Sequence, residues 1–198
     1  MSAMLYLEGG GDSKELHSRC REGFRRLLER CGYQGRMPRL VACGARNSAF
    51  ADFVSAHSGG IAQYVALWVD SENALADLDK TWAHLKERDG WAPPAGASDE
   101  QVLFMTTCME TWLVADRSAL KEHYGSKLQD SALPPLSELE RCPRDVIQNS
   151  LTHATRQCSN AYAKGKRSFE VLGKLTPATL EGHLPSFVRV RRILNARL

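Results

Sequence analysis

The 198-residue sequence predicts an α/β protein: a mostly parallel sheet with helices on its faces, followed by a helical C-terminal extension. Three observations predict it. Short apolar runs alternate with helix-like stretches over the first hundred residues. The run at 64–69 is apolar at every position, as in a strand buried on both faces. Beyond residue 143 the pattern is helical only.

The elements follow in order. Met4-Leu5-Tyr6-Leu7 is the first strand, stopped by the turn Glu8-Gly9-Gly10-Gly11. Asp12 or Ser13 opens an amphipathic helix in which Leu16, Cys20, Phe24, Leu27, Leu28 and Cys31 recur at helical spacing, and Gly32 ends it. Asp12 with Glu15 fits a capping box, which makes capping the leading role of Asp12. Residues 39–43 form the second strand, with a short helix near 50–54 after it. The third strand, 64–69, ends at Asp70-Ser71-Glu72, and a polar helix follows over 74–88. Residues 90–98, with Pro93-Pro94, form a loop before a fourth strand at 102–107. Short helices cover 109–113 and 118–124, the second capped by Asp116. After a break over 125–143, helices are predicted at 145–162, 169–175 and 186–198. The expected division is an α/β domain over 1–125 and a basic helical extension over 126–198, packed on it.

With 43% hydrophobic and 25% charged residues, the composition is globular. A chain of this length buries about 70% of its unfolded surface, so it needs no metal or disulfide staple to fold. Its apolar runs fall far short of the ~20 residues that span a bilayer. A signal-peptide pattern is missing, so a cytoplasmic protein without membrane contact is expected. No two of the six cysteines lie within four residues of each other, so no zinc knuckle or redox pair is expected. Charge is uneven. Residues 141–198 hold eleven Lys/Arg against three Asp/Glu, and residues 1–140 hold fifteen against twenty. An acidic body with a basic tail suits an anionic polymer lying across a carboxylate-bearing site. A solvated basic face explains the tail equally well.

Ligands of open α/β sheets collect beyond the carboxyl ends of the strands. There the first strand delivers Glu8, and the third delivers Asp70 and Glu72. Side chains two apart on an extended segment share a face, so Asp70 and Glu72 can point at one ion. Clustered carboxylates repel unless a cation joins them, and hard oxygen ligands select Mg²⁺ or Mn²⁺. Glu110, after the fourth strand, is placed to join them. The plainer alternative makes each acid a strand-end residue or helix cap. Gly9, Gly10 and Gly11 let backbone amides approach a phosphate, although neither a P-loop nor GxGxxG is present. Lys164, Lys166 and Arg167 flank a glycine turn, and Arg189, Arg191 and Arg192 lie on the last helix. Both groups are candidates for phosphate or nucleic-acid contact, with Phe187, Val190, Ile193 and Leu194 turned to the core. HExxH and GxSxG motifs are missing.

The segments Leu5-Tyr6-Leu7-Glu8-Gly9-Gly10-Gly11-Asp12 and Trp68-Val69-Asp70-Ser71-Glu72 resemble the glutamate and DxD motifs of a TOPRIM fold. Residues 108–116 (CMETWLVAD) and 164–170 (KGKRSFE) narrow the likeness. They resemble an uncharacterised bacterial TOPRIM-like family, similar to the RloB and OLD-type nuclease groups and often encoded beside an ABC- or AAA-type ATPase. The resemblance covers nearly the whole chain and implies a TOPRIM-like (Rossmann-like) fold. It implies Glu8 as general base or metal ligand, with Asp70 and Glu72 holding Mg²⁺ or Mn²⁺. The second acid of the pair is Glu72, longer than the aspartate of the motif. No separate module with an active-site tyrosine is visible, which argues against a topoisomerase. The expected activity is metal-dependent hydrolysis of DNA or RNA, with Lys166 or Lys164 stabilising the leaving oxygen. Such a nuclease would be the effector of an ATPase-coupled phage-defence system. The alternatives are a non-catalytic module that binds nucleic acid or docks on the ATPase, and a phosphotransferase or phosphatase acting on small nucleotides. Expected partners are nucleic acid and a separately encoded ABC/AAA-type ATPase; a homo-oligomer is left open.

Overall fold

Four strands, β1 (Ala3–Leu7), β2 (Arg39–Ala42), β3 (Tyr64–Asp70) and β4 (Val102–Met105), pair in the order β2-β1-β3-β4, every pair parallel. The computed structural model describes residues 2–198. Around the sheet lie α1 (Lys14–Arg30), α2 (Arg46–Ser58), α3 (Thr81–Asp89), α4 (Met109–Ala115) and α5 (Arg117–Tyr124). Then come α6 (Arg144–Thr155), α7 (Lys166–Leu172), α8 (Pro177–His183) and α9 (Pro185–Arg197). The architecture is the Rossmann-like α/β fold expected, and no strand follows β4 among the described residues. None of the helices is long and apolar enough to cross a membrane.

Strand periodicity sets the layers. Tyr64, Ala66 and Trp68 of β3 face one side with Leu5, Leu7, Leu103 and Met105, under α1 and the helices from α4 onward. Val65, Leu67 and Val69 face the other side with Met4, Tyr6 and Phe104, under α2 and α3. Crossover handedness requires this split. The chain steps from β1 outward to β2 through α1, then returns past β1 to β3 through α2. Two right-handed crossovers in opposite directions must use opposite faces. The connections leaving β1 and β3 therefore diverge at the carboxyl edge and open a crevice between two adjacent strands.

Several boundaries differ from the sequence reading. The polar helix over 74–88 begins only at Thr81. Before it, the Asp77 carboxylate accepts from the Asp79 N–H at 2.9 Å, a local turn that competes with helix. Ser13, not Asp12, caps α1 by accepting from the Leu16 N–H, while Asp12 is exposed. The helix over 145–162 stops at Thr155, whose hydroxyl accepts from the Tyr162 N–H. Helix α8 was not foreseen. The proposed extension is continuous with the α/β core: Leu151, Phe169, Leu172, Phe187 and Ile193 are buried in one cluster with Leu5, Trp68 and Leu103.

Helix α3 runs in the direction of the strands. Its first turn is held beside the start of β4, where Thr81 and the Trp82 N–H bond Asp99. Its last turn carries Arg88 and Asp89 to the carboxyl edge.

Candidate metal and phosphate site

Glu8 directly follows β1, its N–H still donating to the Trp68 carbonyl of β3 at 3.0 Å. Its Oε2 accepts from Arg46 Nη1 at 3.0 Å and from the Asp70 N–H at 3.2 Å. Asp70 closes β3, and its Oδ1 accepts from the Met109 N–H at the start of α4, at 2.9 Å. Two residues on, Glu72 adopts left-handed backbone at φ 69°, and its N–H donates to the Thr107 carbonyl at 2.8 Å. A non-glycine residue there carries strain that its surroundings must enforce. The result is one cluster: Glu8, Asp70 and Glu72 each offer an oxygen within 4.8 Å of the others. Oxygens sharing octahedral Mg²⁺ at about 2.0–2.1 Å sit about 3–4 Å apart, so a small closure would complete the set.

Electrostatics strain the cluster. Burial, then the Glu8 and Glu110 carboxylates, push the Asp70 carboxyl well above the usual range, with Arg144 opposing them. Three arginines relieve the acids. Arg144, at the start of α6, bonds Glu72 and lies 3.8 Å from Asp70 Oδ2. Arg88 lies 3.6 Å from Glu72. Arg46 joins Glu8, the Asp70 carbonyl at 2.5 Å and Asp89 at 2.8 Å, and sits over the Trp91 ring. Burial works against the charge of Arg46, but Asp89 and Glu8 outweigh it; for Arg144, Glu72 and Asp70 do the same. Glu8, Asp70, Glu72 and Asp89 thus face Arg46, Arg88 and Arg144, four carboxyl groups against three guanidinium groups.

A cleft of about 380 Å³ opens beside Glu8 and Asp70. Gly9, Gly10 and Gly11 form one rim, all at positive φ. A Cβ on Gly9 would lie 3.1 Å from the Phe169 ring, and one on Gly10 would lie 2.9 Å from the His17 ring, so the turn needs glycine for space as well as conformation. His17 Nε2 lies 2.6 Å from the Gly11 carbonyl and fixes the turn. Leu16, Met105, Met109 and Phe169 form an apolar wall, and Arg144 and Lys164 add positive charge. Glu110 also lines the cleft. Its two oxygens accept from the Tyr162 hydroxyl at 2.7 Å and from Gln148 at 3.3 Å. Burial and Glu110 push the Tyr162 phenol far up, keeping it a donor. Glu110 stands outside the three-acid cluster among the described residues and is tethered in the cleft wall by Tyr162 and Gln148.

The basic residues divide. Lys164 lines the cleft from an exposed position, whereas Lys166, also exposed, lies outside its lining and near enough to Glu15 to hold that carboxyl down, after Arg19. Arg167 pairs with Glu170 at 3.7 Å. The three arginines of α9 correct the sequence reading, because they lie near the amino ends of the strands, opposite the acids. Arg189 is buried and donates to Asp79 and to the carbonyls of Val102 and Asp99. Arg191 bonds the Cys31 carbonyl and Glu181, and Arg192 bonds Asp79. Arg46, Arg88, Arg144, Gln148 and Tyr162 were missed. Only Arg46 left a signal, as a basic residue just past the second strand at the same sheet edge.

Fold and site together define a class: a Rossmann-like parallel α/β protein whose strand-end carboxylates converge at a topological switch point. Within that class, the chain belongs to the family described as Domain of unknown function (DUF4276), which matches residues 7–194. No curated protein and no solved structure matches it.

Proposed function

We propose that the protein is a TOPRIM-like, Mg²⁺- or Mn²⁺-dependent phosphodiesterase acting on nucleic acid. The observation that carries this reading is the convergence of Glu8, Asp70 and Glu72, the first two lining a glycine-rimmed cleft of about 380 Å³. Their all-carboxylate donor set fits a hard divalent cation, which when bound would neutralise the scissile phosphate and lower the pKa of water. Asp70 and Glu72 would hold the ion. Glu8 keeps Oε1 clear of its Arg46 and Asp70 contacts, so that oxygen is available to take a proton from water. Arg46 orients Glu8. Arg144 and Lys164 bind phosphate oxygens, and the Lys164 charge stabilises the departing oxygen.

Calorimetric titration of Mg²⁺ and Mn²⁺ into wild type should show binding that is lost in Asp70→Asn/Glu72→Gln. Glu8→Gln and Asp70→Asn should each reduce oligonucleotide cleavage at least about a hundredfold. Full activity in both single variants would overturn the mechanism.

One observation favours a second reading. Arg144 on Glu72 and Arg46 on Glu8 already balance much of the acidic charge, as in a non-catalytic module that binds nucleic acid or docks on a separate ABC/AAA-type ATPase. Nucleic-acid binding that survives EDTA without product formation would select it. Service in phage defence rests on the sequence resemblance and predicts co-purification with such an ATPase.

A further inference from the structure

The phosphodiesterase reading leaves open which form of nucleic acid reaches the acids. Resting on that reading, we infer that the cleft takes an unpaired nucleotide. Its phosphate lies at Arg144 and Lys164, and its base against the wall of Leu16, Met109 and Phe169.

Depth is the first argument. The side chains of Glu8, Asp70 and Glu72 are only 17%, 11% and 15% exposed, so a reacting phosphate must descend to them. The backbone of an intact duplex is held on the outside of a broad, stiff cylinder and cannot enter a cleft of about 380 Å³. An overhang, an unpaired loop or a flipped nucleotide can. Size agrees, since about 380 Å³ falls at the lower end of the range of small-molecule pockets. Chemistry is the third argument. A site for phosphate alone has no use for an apolar wall. Here Leu16, half-buried, stands beside the glycine turn and the two cations, with Met109 and Phe169 showing the cleft only the edge of the core. Every nucleobase has a π-face that stacks on apolar, sulfur-bearing or aromatic side chains, so this wall accepts any base without reading its sequence. Unpaired DNA and RNA share this chemistry.

The test measures binding and cleavage separately on the full chain. Thymidine 5′-monophosphate and inorganic phosphate are titrated calorimetrically into wild type, Leu16→Asn and Leu16→Ala, with folding checked by circular dichroism. Wild type should hold the nucleotide about tenfold more tightly than phosphate, and both variants should lose that preference. Anisotropy with Ca²⁺ present compares labelled oligothymidylate, oligouridylate and a blunt duplex. Both single strands should bind about tenfold more tightly than the duplex, and their ratio tells DNA from RNA. Equal binding of nucleotide and phosphate, or of duplex and single strands, overturns the inference. Cleavage with Mg²⁺ separates the two readings. Equal cutting of paired and unpaired strands sinks the inference and keeps the phosphodiesterase. The single-strand preference without any cutting keeps the inference and sinks the phosphodiesterase.

Discussion

Glu140 shows how far one buried carboxylate can be moved by its setting. It lies in the turn over Leu139–Arg141, against the start of α9, accepting from the Ser186 N–H at 3.0 Å and from the Ser186 hydroxyl. Burial pushes its pKa up to about 7, with the two Ser186 bonds opposing the shift. The folded state therefore binds the proton more tightly than the unfolded chain does. The stability this contributes is fully present below the ordinary carboxylate range and is lost as pH rises through about 7. Thermal melts of wild type should show Tm falling between about pH 5 and 8, and Glu140→Gln should flatten that slope while keeping an acceptor for Ser186. An unchanged slope in the variant would assign the titration elsewhere. At this scale the acids were legible and their partners were not. Glu8, Asp70 and Glu72 stand out because each closely follows an apolar strand. Arg88 and Arg144 sit on polar helices, where an arginine turned toward a buried acid has the same sequence pattern as one turned toward water.

Gly23 marks a close approach between α1 and α7. In the middle of α1, glycine ordinarily weakens a helix by about 1 kcal/mol relative to alanine, so Gly23→Ala would be expected to stabilise. Here a Cβ would fall 2.6 Å from the Phe169 carbonyl of α7. Backbone cannot yield as a flexible side chain does, so the sign reverses. Gly23→Ala should cost about 1–3 kcal/mol in urea unfolding. It should also weaken nucleotide binding, because α7 carries Phe169 and follows Lys164 directly. The four strands could be read from their apolar runs, and so could α1 from its period. Helix α8 could not: it spans only Pro177–His183 and buries only Leu180, too little for a periodic signal. Residues 74–80 mimic a polar helix in composition, but Asp77 turns the chain instead.

One apolar cluster reaches from Leu5 to Leu194. A fragment ending at residue 125 would leave the sheet face of Leu5, Leu7, Trp68 and Leu103 without Leu151, Phe169, Leu172 and Ile193. Such a fragment should lack a cooperative thermal transition and bind a hydrophobic dye, unlike the full chain. A sharp, full-length-like melt would show that the first 125 residues fold alone. Strand order is the part of the whole that linear reading missed. Nothing in two apolar runs some sixty residues apart states that β1 and β3 are neighbours; crossover handedness and the hydrophobic demand of both faces decide it.

This shared core also sets an order of events during synthesis. Translation yields all three carboxylates by residue 72, but Arg144, Lys164 and the last core residue, Leu194, emerge only later. A nascent chain thus carries the acids long before it can bury them. The cluster and its cleft come into being only when these later residues fold onto the first seventy-two.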